Sequence, residues 1–445
     1  MKESRFNNLV FTLLALLMAF INLFNKEMLH LPPFDYGVFG IVMVFTIVCA
    51  SRCKRFDVPR GYLRLMAVMI VLMIINALIS KYSPDFPYVI IGSLITFLPF
   101  IFFIFAYNFH FTDEEIFRYI DWFLALVCFF SLVVVVDTLV FKTGDVDFQA
   151  GVLSSGIVRF GDFSSLCNQA IVLSLANLYR TRNRRYAVLF GFFAVVILLT
   201  NQMKAILGMM LVFAVYIFYL TRVKRWVKIT FFTVLTAAMV LMLSLSAIFM
   251  LKLENYVDSA SMEESYTKVA RPALYYGAFQ LAGDFFPLGS GQGTYGSVPV
   301  NMVGSRVYSD YGLDMVWGLG DDEEFSFRMD AHWASILGEM GYLGFVVYLL
   351  LFFYPARKVK GIVANEEESI RKYYIYIIRM GIVTLFAESI VLALPKSFSF
   401  MILYAGLAGL ILNRKPNNGR INNCDVQVSD ALQDVQHLGQ PDKTI

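Results

Sequence analysis

The chain has 445 residues, of which 58% are hydrophobic and only 16% are charged. A soluble domain is usually about 45–50% apolar and about 25% charged, so this composition excludes an ordinary soluble enzyme, a disordered chain and a small disulfide-rich scaffold. The formal net charge of +3 indicates no nucleic-acid partner. The five cysteines show no metal-ligand spacing. A membrane protein that crosses the bilayer many times is the class that remains.

Apolar runs recur along the chain, and a membrane helix needs about 20 mostly apolar residues. Together these runs predict an all-α polytopic membrane protein with about twelve transmembrane helices. The candidate spans are 8–25, 35–50, 61–79, 87–107, 119–141, 164–179, 186–200, 205–220, 229–251, 332–354, 375–394 and 398–412. Lys2 and Arg5 precede the first run without an obvious cleavage site, which indicates a retained helix rather than a signal peptide.

Basic residues predict the orientation of these helices. If the N-terminus lies in the cytoplasm, clusters of arginine and lysine fall in the inside loops, as the positive-inside rule requires. These clusters lie within 52–60, 180–185, 222–228 and 357–372. The short outside loops hold single basic residues such as Lys26, Lys81 and Lys396. We therefore expect a multi-pass membrane protein whose chemistry faces outward, away from the cytoplasm.

Two predicted outward segments, about 142–163 and 252–331, are too long to be simple connections. Connections in compact domains have a median near 4–6 residues, and longer ones are usually functional or disordered. The predicted organisation is transmembrane helices 1–9 in 1–251, a large periplasmic loop with short helices in 252–331, helices 10–12 in 332–412 and a disordered cytoplasmic tail in 413–445.

A candidate general base lies where the long loop is predicted to re-enter the membrane. Asp330 suits an N-cap, which would put His332 in the first helical turn, where the helix dipole disfavours imidazolium. A neutral imidazole at the membrane surface is a competent base. Glu339 is the second catalytic candidate; it would lie on the same face about 10 Å deeper, too far to orient His332 directly. The alternative interpretation is a surface histidine at a helix start.

A candidate anion site begins at Arg271. Pro272 suits the first position of a helix, so Arg271 would lie at a helix N-terminus, where free backbone N–H groups already favour anions. An arginine there makes a plausible phosphate or pyrophosphate site. The alternative is a surface arginine paired with one of the many carboxylates of the loop.

Three further charged residues are candidates. Lys204 begins an apolar run on the outer side, where a cation is costly without a partner, although snorkelling to the outer headgroups would also explain it. Arg159 lies in the shorter outward segment. Glu388, within the eleventh predicted helix, is either a buried hydrogen-bonded carboxylate or part of a proton path.

Two other segments carry weaker signals. Residues 287–296 look like a nucleotide-binding glycine loop, but they lack the preceding strand and the P-loop lysine, so a tight turn is the better interpretation. The four carboxylates of 321–324 would suit a divalent cation, but such a run is more often a solvated loop. No metal site is predicted.

The order of these features resembles the O-antigen ligase/polymerase family of bacterial envelope glycosyltransferases. The resemblance covers roughly residues 150–350. Its pieces are Arg159-Phe160-Gly161, the hairpin from Thr200 to Lys204, the segment from Arg271 to Gly293 with its Pro-Leu-x-Gly-x-Gly element, and the histidine-containing segment from Ala331 to Gly344. The first 140 residues match only as hydrophobic helices.

This resemblance implies transfer of a sugar chain from undecaprenyl pyrophosphate to an acceptor hydroxyl at the periplasmic face, without a nucleotide sugar, cofactor or metal. By matching position, it implies that Arg271, with Lys204 and Arg159, holds the pyrophosphate and that His332 activates the acceptor. Lys204 stands where many members have arginine, and a lysine lacks the bidentate fork. Trp333 replaces an asparagine that is common after the histidine. The implied partners are the lipid-linked donor, the glycan acceptor, the bilayer and a chain-length regulator protein.

The expected function is therefore polymerisation of lipid-linked repeat units of O-antigen, capsule or exopolysaccharide. An O-antigen ligase that transfers finished glycan to lipid A–core needs the same donor chemistry and remains open. A transporter of such a lipid is the alternative from another class, because twelve helices and Glu388 permit it. A structural membrane scaffold is a third.

Overall fold

The structure is a computed structural model of the chain. It describes residues 2–21, 40–48 except 42, 56–141, 163–199, 203–221, 269–320, 326–390 and 402–415, with single positions between 224 and 233. The described part is helical and contains no strand, apart from one isolated bridge between Thr112 and Lys415. The expected all-α fold is thereby confirmed for these residues.

Seven helices with described bounds precede the long loop: α1 Lys2–Ile21, α2 Arg60–Ile79, α3 Phe86–Tyr107, α4 Asp113–Phe141, α5 Phe163–Thr181, α6 Arg184–Leu199 and α7 Met203–Leu220. The loop and the C-terminal part of the chain contain α8 Ala270–Asp284, α9 Val298–Val303, α10 Arg306–Asp310, α11 His332–Phe352, α12 Tyr354–Ile362, α13 Glu368–Glu388 and α14 Leu407–Leu412. A 3-10 turn at Leu313–Met315 and a π-turn at Ile402–Gly406 complete the described elements.

Four helical stretches in the described part are long and apolar enough to cross a membrane, judged by length and composition. They are Arg60–Ile79, Phe86–Tyr107, Asp113–Val136 and His332–Ile362, the last of which is interrupted at Gly341. Helix α2 exposes large apolar side chains on the protein surface, for example those of Leu63, Val71 and Leu78. Such exposure is costly in water but is expected where a helix faces lipid. The number of twelve spans stays a prediction.

A buried ion-pair cluster closes one end of the helices, which we call the Arg414 end. The guanidinium of Arg414 contacts Asp113 at 2.6 Å and Glu366 at 2.7 Å, and the side chains of Arg414 and Asp113 are each only 2% exposed. Tyr374 donates a further hydrogen bond to Asp113. The backbone N–H of Lys415 bonds the carbonyl of Phe111 at 2.8 Å. Residues 413–415 are therefore fixed to the helices, and the rest of the predicted tail lies outside the described residues.

The described part of the long loop packs at the opposite end, which we call the Asn76 end. The amide of Asn76, near the end of α2, donates to the carbonyls of Leu288 and Glu339. Ser80 donates to the carbonyl of Ser290. Behind these bonds, α8 to α10 enclose a second apolar core, which includes Tyr295. Residues 269–320 and 326–331 of this loop therefore pack as a cap on the membrane-type helices.

The prediction of one continuous, straight helix over residues 332–354 is wrong. Gly341 interrupts α11 with φ 62° and ψ −171°, a conformation accessible essentially only to glycine. The chain reverses there and forms a first arm, 332–340, and a second arm, 342–352. The carbonyls of Gly338 and Glu339 accept hydrogen bonds from the backbone N–H groups of Ser290 and Gly291. Contacts with a segment about 50 residues away therefore support the break.

Candidate functional site

The first arm of α11 runs toward the Asn76 end, not away from it. At one end of α2, Asn76 bonds Glu339, and at the other, the ring of Tyr62 lies 5.1 Å from that of Tyr354. Fourteen residues of α2, about 21 Å, separate these two contacts. The chain that follows Gly341 therefore runs back toward the Arg414 end, which it reaches at Tyr354.

His332 lies at the inner end of the first arm because it contacts the middle of the second arm. Its Nε2 lies 3.1 Å from the hydroxyl of Tyr348. The ring of Tyr348 lies 5.0 Å from that of Phe100, whose carbonyl accepts from Tyr62. Glu339 is therefore nearer the Asn76 end than His332, and the expectation that Glu339 lies deeper than His332 is wrong.

Helix α8 lies beside the first arm and runs in the same direction. At their starts, Arg271 pairs with Asp330 at 2.9 Å. Further along, the Tyr295 ring lies between the helices, because its hydroxyl donates to the carbonyl of Leu274 and its ring atoms would contact a Cβ at Gly338. Two helix N-termini, each carrying a partial positive charge, therefore lie side by side.

Arg271 is half-exposed and paired. Its side chain is 41% exposed and that of Asp330 25%. Asp330 does not act as the predicted N-cap, since the N-cap is Ala331 without a side-chain capping bond. The Nε–H of Arg271 is buried and has no hydrogen-bond partner within the described part of the chain. The alternative interpretation, in which Arg271 pairs with a carboxylate of the loop, therefore describes the observed contact. The guanidinium still has an N–H group that could donate to an anion.

His332 is a buried residue in an aromatic pocket. It is 1% exposed, so the alternative of a surface histidine is wrong. The Trp333 ring lies 5.0 Å from the imidazole, and its Nε1 donates to the carbonyl of Phe386 at 3.1 Å. Tyr348 contacts the imidazole from the second arm. These neighbours restrict the orientation of the imidazole.

Glu339 is joined to the loop of residues 287–296, which we call the glycine loop. Its Oε1 accepts hydrogen bonds from the backbone N–H groups of Gly293 at 3.0 Å and Tyr295 at 3.1 Å. Its side chain is only 1% exposed. Gly291 and Gly293 have positive φ values of 109° and 80°, so the loop follows a backbone path that suits glycine. The described contacts of Glu339 thus anchor this loop, and its catalytic role stays a prediction.

Lys204 lies in the first turn of α7 and is half-buried. The carbonyl of its neighbour Ala205 accepts from Asn168 at 2.9 Å, and Asn168 also donates to Glu388 at 2.8 Å. Glu388 is a buried hydrogen-bonded carboxylate, the first of the two interpretations left open for it. Arg159 and the acidic run 321–324 lie outside the described residues.

The C-terminal end of α13 is the common neighbour of these groups. Trp333 donates to Phe386, and Tyr275 of α8 donates to the carbonyl of Ile390 at 2.7 Å. Glu388 lies between these two positions in the sequence. The structure therefore brings the starts of α7, α8 and the first arm around one helix end.

Sequence reasoning missed Asn76, Asn168 and Tyr348. The two asparagines lie in apolar helices, and a polar residue within such a helix is a signal of internal hydrogen bonding or function. No comparable signal pointed to Tyr348, because its contact with His332 depends on the reversal at Gly341.

Comparisons with known proteins give little further information. No family model matches the chain, and no curated protein matches it. A chain of a peptidoglycan synthase complex, studied for the structural coordination of polymerization and crosslinking, is similar with a TM-score of 0.45 and 16% sequence identity. The match covers 80% of this chain and 96% of the other. A TM-score of this size does not establish a shared fold.

Proposed function

We propose that this chain is a membrane glycosyltransferase that polymerises lipid-linked oligosaccharide repeat units. It would transfer glycan from undecaprenyl pyrophosphate to an acceptor sugar hydroxyl at the periplasmic face of the inner membrane. The observation that carries this proposal is the pairing of Arg271 with Asp330, because it joins the start of α8 to the start of the arm that begins with buried His332.

We place the binding site for the lipid-linked donor at the two adjacent helix N-termini, those of α8 and of the first arm of α11. Helix N-termini bind phosphate groups through free N–H groups and the helix dipole. Arg271 adds a guanidinium, which can bind phosphate oxygens bidentately. Lys204 and Arg159 are proposed as further cations around the pyrophosphate, by the resemblance to the O-antigen ligase/polymerase family. The lipid tail would enter from the bilayer between the helices.

The acceptor side is proposed at His332. The acceptor oxygen forms a bond to the anomeric carbon, the bond from that carbon to the pyrophosphate oxygen breaks, and undecaprenyl pyrophosphate leaves with the electron pair. The imidazole takes the acceptor proton as a general base. Tyr348 and Trp333 would hold the ring in place, and Glu339 would fix the first arm through the glycine loop.

Polymerase and ligase need the same donor chemistry, so the glycan products must separate them. A chromosomal deletion is complemented with the wild-type gene or with variants, and the glycans are separated by electrophoresis. Loss of a polymerase leaves single repeat units on the acceptor. Loss of a ligase leaves long glycan on the carrier lipid. Loss of a transporter leaves unpolymerised repeat units on the carrier at the cytoplasmic face.

His332→Ala and Arg271→Ala are expected to behave like the deletion at wild-type membrane abundance. The matched controls are Arg306→Ala, an exposed arginine of the same loop, and His110→Ala at the Arg414 end. Both controls should restore long glycan. Normal elongation by the His332 and Arg271 variants would refute the proposed catalysis, and normal elongation in the deletion strain would refute the proposed function.

A further inference from the structure

Glu388 is a carboxylate buried among three helices, and the proposed mechanism does not use it. It ends α13 and is only 1% exposed. It accepts hydrogen bonds from the hydroxyl of Ser165 and from the amide of Asn168, both on α5. Because a charged side chain is costly inside a membrane-type helix bundle, such a residue is rarely retained without a role.

Asn168 links Glu388 to α7 through two hydrogen bonds. Its Nδ2 carries two hydrogens, and they have two acceptors: Oε1 of Glu388 at 2.8 Å and the carbonyl of Ala205 at 2.9 Å. The carboxylate thus orients the amide, and the amide holds the first turn of α7. Lys204 precedes Ala205 directly in that turn.

Gly208 permits this close approach. A Cβ at Gly208 would lie 2.6 Å from Nδ2 of Asn168 and 3.1 Å from Oε1 of Glu388. A side chain there would displace either the Asn168 amide or α7 from this contact. Three residues on three helices therefore form one compact junction.

We infer that Glu388, Asn168 and Gly208 form a clamp that sets the position of Lys204 relative to His332 and Arg271. Phe386 near the end of α13 accepts a hydrogen bond from Trp333, and Ile390 just after that helix accepts one from Tyr275. The clamp therefore joins α7 to both helices of the proposed site. Glu388 and Asn168 are positioning residues for donor binding. The identity of the donor rests on the proposed function, but the clamp itself does not.

The first measurement is hydrogen exchange of the full chain in lipid nanodiscs. The amides of residues 207–210 bond to the carbonyls of the first turn of α7, so their exchange reports whether that turn is held. Glu388→Gln, Asn168→Ala and Gly208→Ala should each speed this exchange about 10-fold. The matched control is Thr384→Val, which removes a hydrogen bond from Gln169 between the same two helices, one turn away from Glu388.

The second measurement is binding and turnover of undecaprenyl pyrophosphate-linked substrate. The clamp variants should raise the dissociation constant of undecaprenyl pyrophosphate and the KM for the donor about 10-fold, with kcat within about 3-fold of the wild type. Thr384→Val should change neither. A merely structural role would instead lower the amount of active protein without changing KM.

The inference is overturned if exchange at 207–210 is the same in the clamp variants as in Thr384→Val, or if exchange rises while donor affinity is unchanged. If the wild type binds no undecaprenyl pyrophosphate, the proposed function fails, and the exchange result still decides whether the clamp exists. Should Glu388→Gln not fold, Asn168→Ala and Gly208→Ala provide the same comparison.

Discussion

The imidazole Nε2 of His332 lies 3.1 Å from the hydroxyl of Tyr348, although sixteen residues separate them along the chain. In a straight helix these residues would be about 24 Å apart along the axis. The reversal at Gly341 makes the contact possible and places His332 inside the protein instead of at its rim. The position of His332, the proposed catalytic base, therefore depends on the backbone conformation of Gly341.

Gly341→Ala is expected to disrupt this arrangement. A Cβ at φ 62° and ψ −171° is strained, and it would also meet the backbone of the glycine loop. The strain alone costs about 1–3 kcal/mol, so the thermal midpoint should fall and glycan elongation should be lost. Gly283→Ala is the control, since a Cβ there meets no atom within 4 Å. A Gly341→Ala protein with wild-type stability and activity would contradict the described reversal.

Variants of Glu339 separate its anchoring role from the predicted catalytic one. Glu339→Ala leaves the buried N–H groups of Gly293 and Tyr295 without their acceptor, which should cost about 1–3 kcal/mol for each group. Glu339→Gln keeps an acceptor oxygen and should retain most activity and stability. Thermal unfolding and elongation assays measure both. If Glu339→Gln folds normally but does not turn over, Glu339 is catalytic and the anchoring account is incomplete.

Asp330→Asn tests the charge balance at Arg271. The carboxylate of Asp330 competes with an anionic ligand for the guanidinium, so its neutralisation should tighten binding of undecaprenyl pyrophosphate. Because both side chains are partly exposed, the expected gain is only about 3–5-fold, equivalent to less than about 1 kcal/mol. Asp310→Asn, which neutralises a carboxylate of the same loop that accepts a hydrogen bond from Tyr82 and not from an arginine, is the control. Weaker binding in Asp330→Asn would show that the pair positions Arg271 instead of competing with the ligand.

The Arg414 cluster is expected to affect stability. Burial opposes the charge of Arg414, but Asp113 beside it raises the pKa of the guanidinium above its usual value, so the group stays charged. Arg414→Ala would leave Asp113 and Glu366 buried without their cation, at a cost of about 3–5 kcal/mol. Lys372→Ala, which breaks a more exposed pair with Glu368, should cost no more than about 0.5 kcal/mol. Equal thermal midpoints for the two variants would contradict this difference.

The sequence predicted the helices better than their arrangement. Apolar runs such as 61–79 and 87–107 correspond closely to α2 and α3, because length and hydropathy decide where a membrane-type helix forms. The reversal at Gly341 could not be predicted, since Gly338, Gly341 and Gly344 fit close helix packing equally well. The break depends on hydrogen bonds from Ser290 and Gly291, which only the folded chain brings near.

The candidate site was predicted only in part, because its contacts also join residues that are far apart in the sequence. The helix starting near Arg271 follows from Pro272 and the apolar spacing, but many carboxylates of the loop could have paired with the arginine. The Asn168–Glu388 bond joins residues 220 positions apart, and local spacing carries no information about such a pair. Lys204 was identified from its charge, while its connection to Glu388 through Asn168 required the structure.

The central claim is that Arg271 and His332 serve one glycan-transfer reaction. The most direct test uses purified protein in nanodiscs with undecaprenyl pyrophosphate-linked repeat units as both donor and acceptor. The wild type should release undecaprenyl pyrophosphate and form a ladder of longer glycans. His332→Ala should bind the donor but form no ladder, and Arg271→Ala should bind it at least about 10-fold more weakly. A normal ladder from both variants, or no ladder from folded wild-type protein supplied with its native repeat unit, would contradict the account.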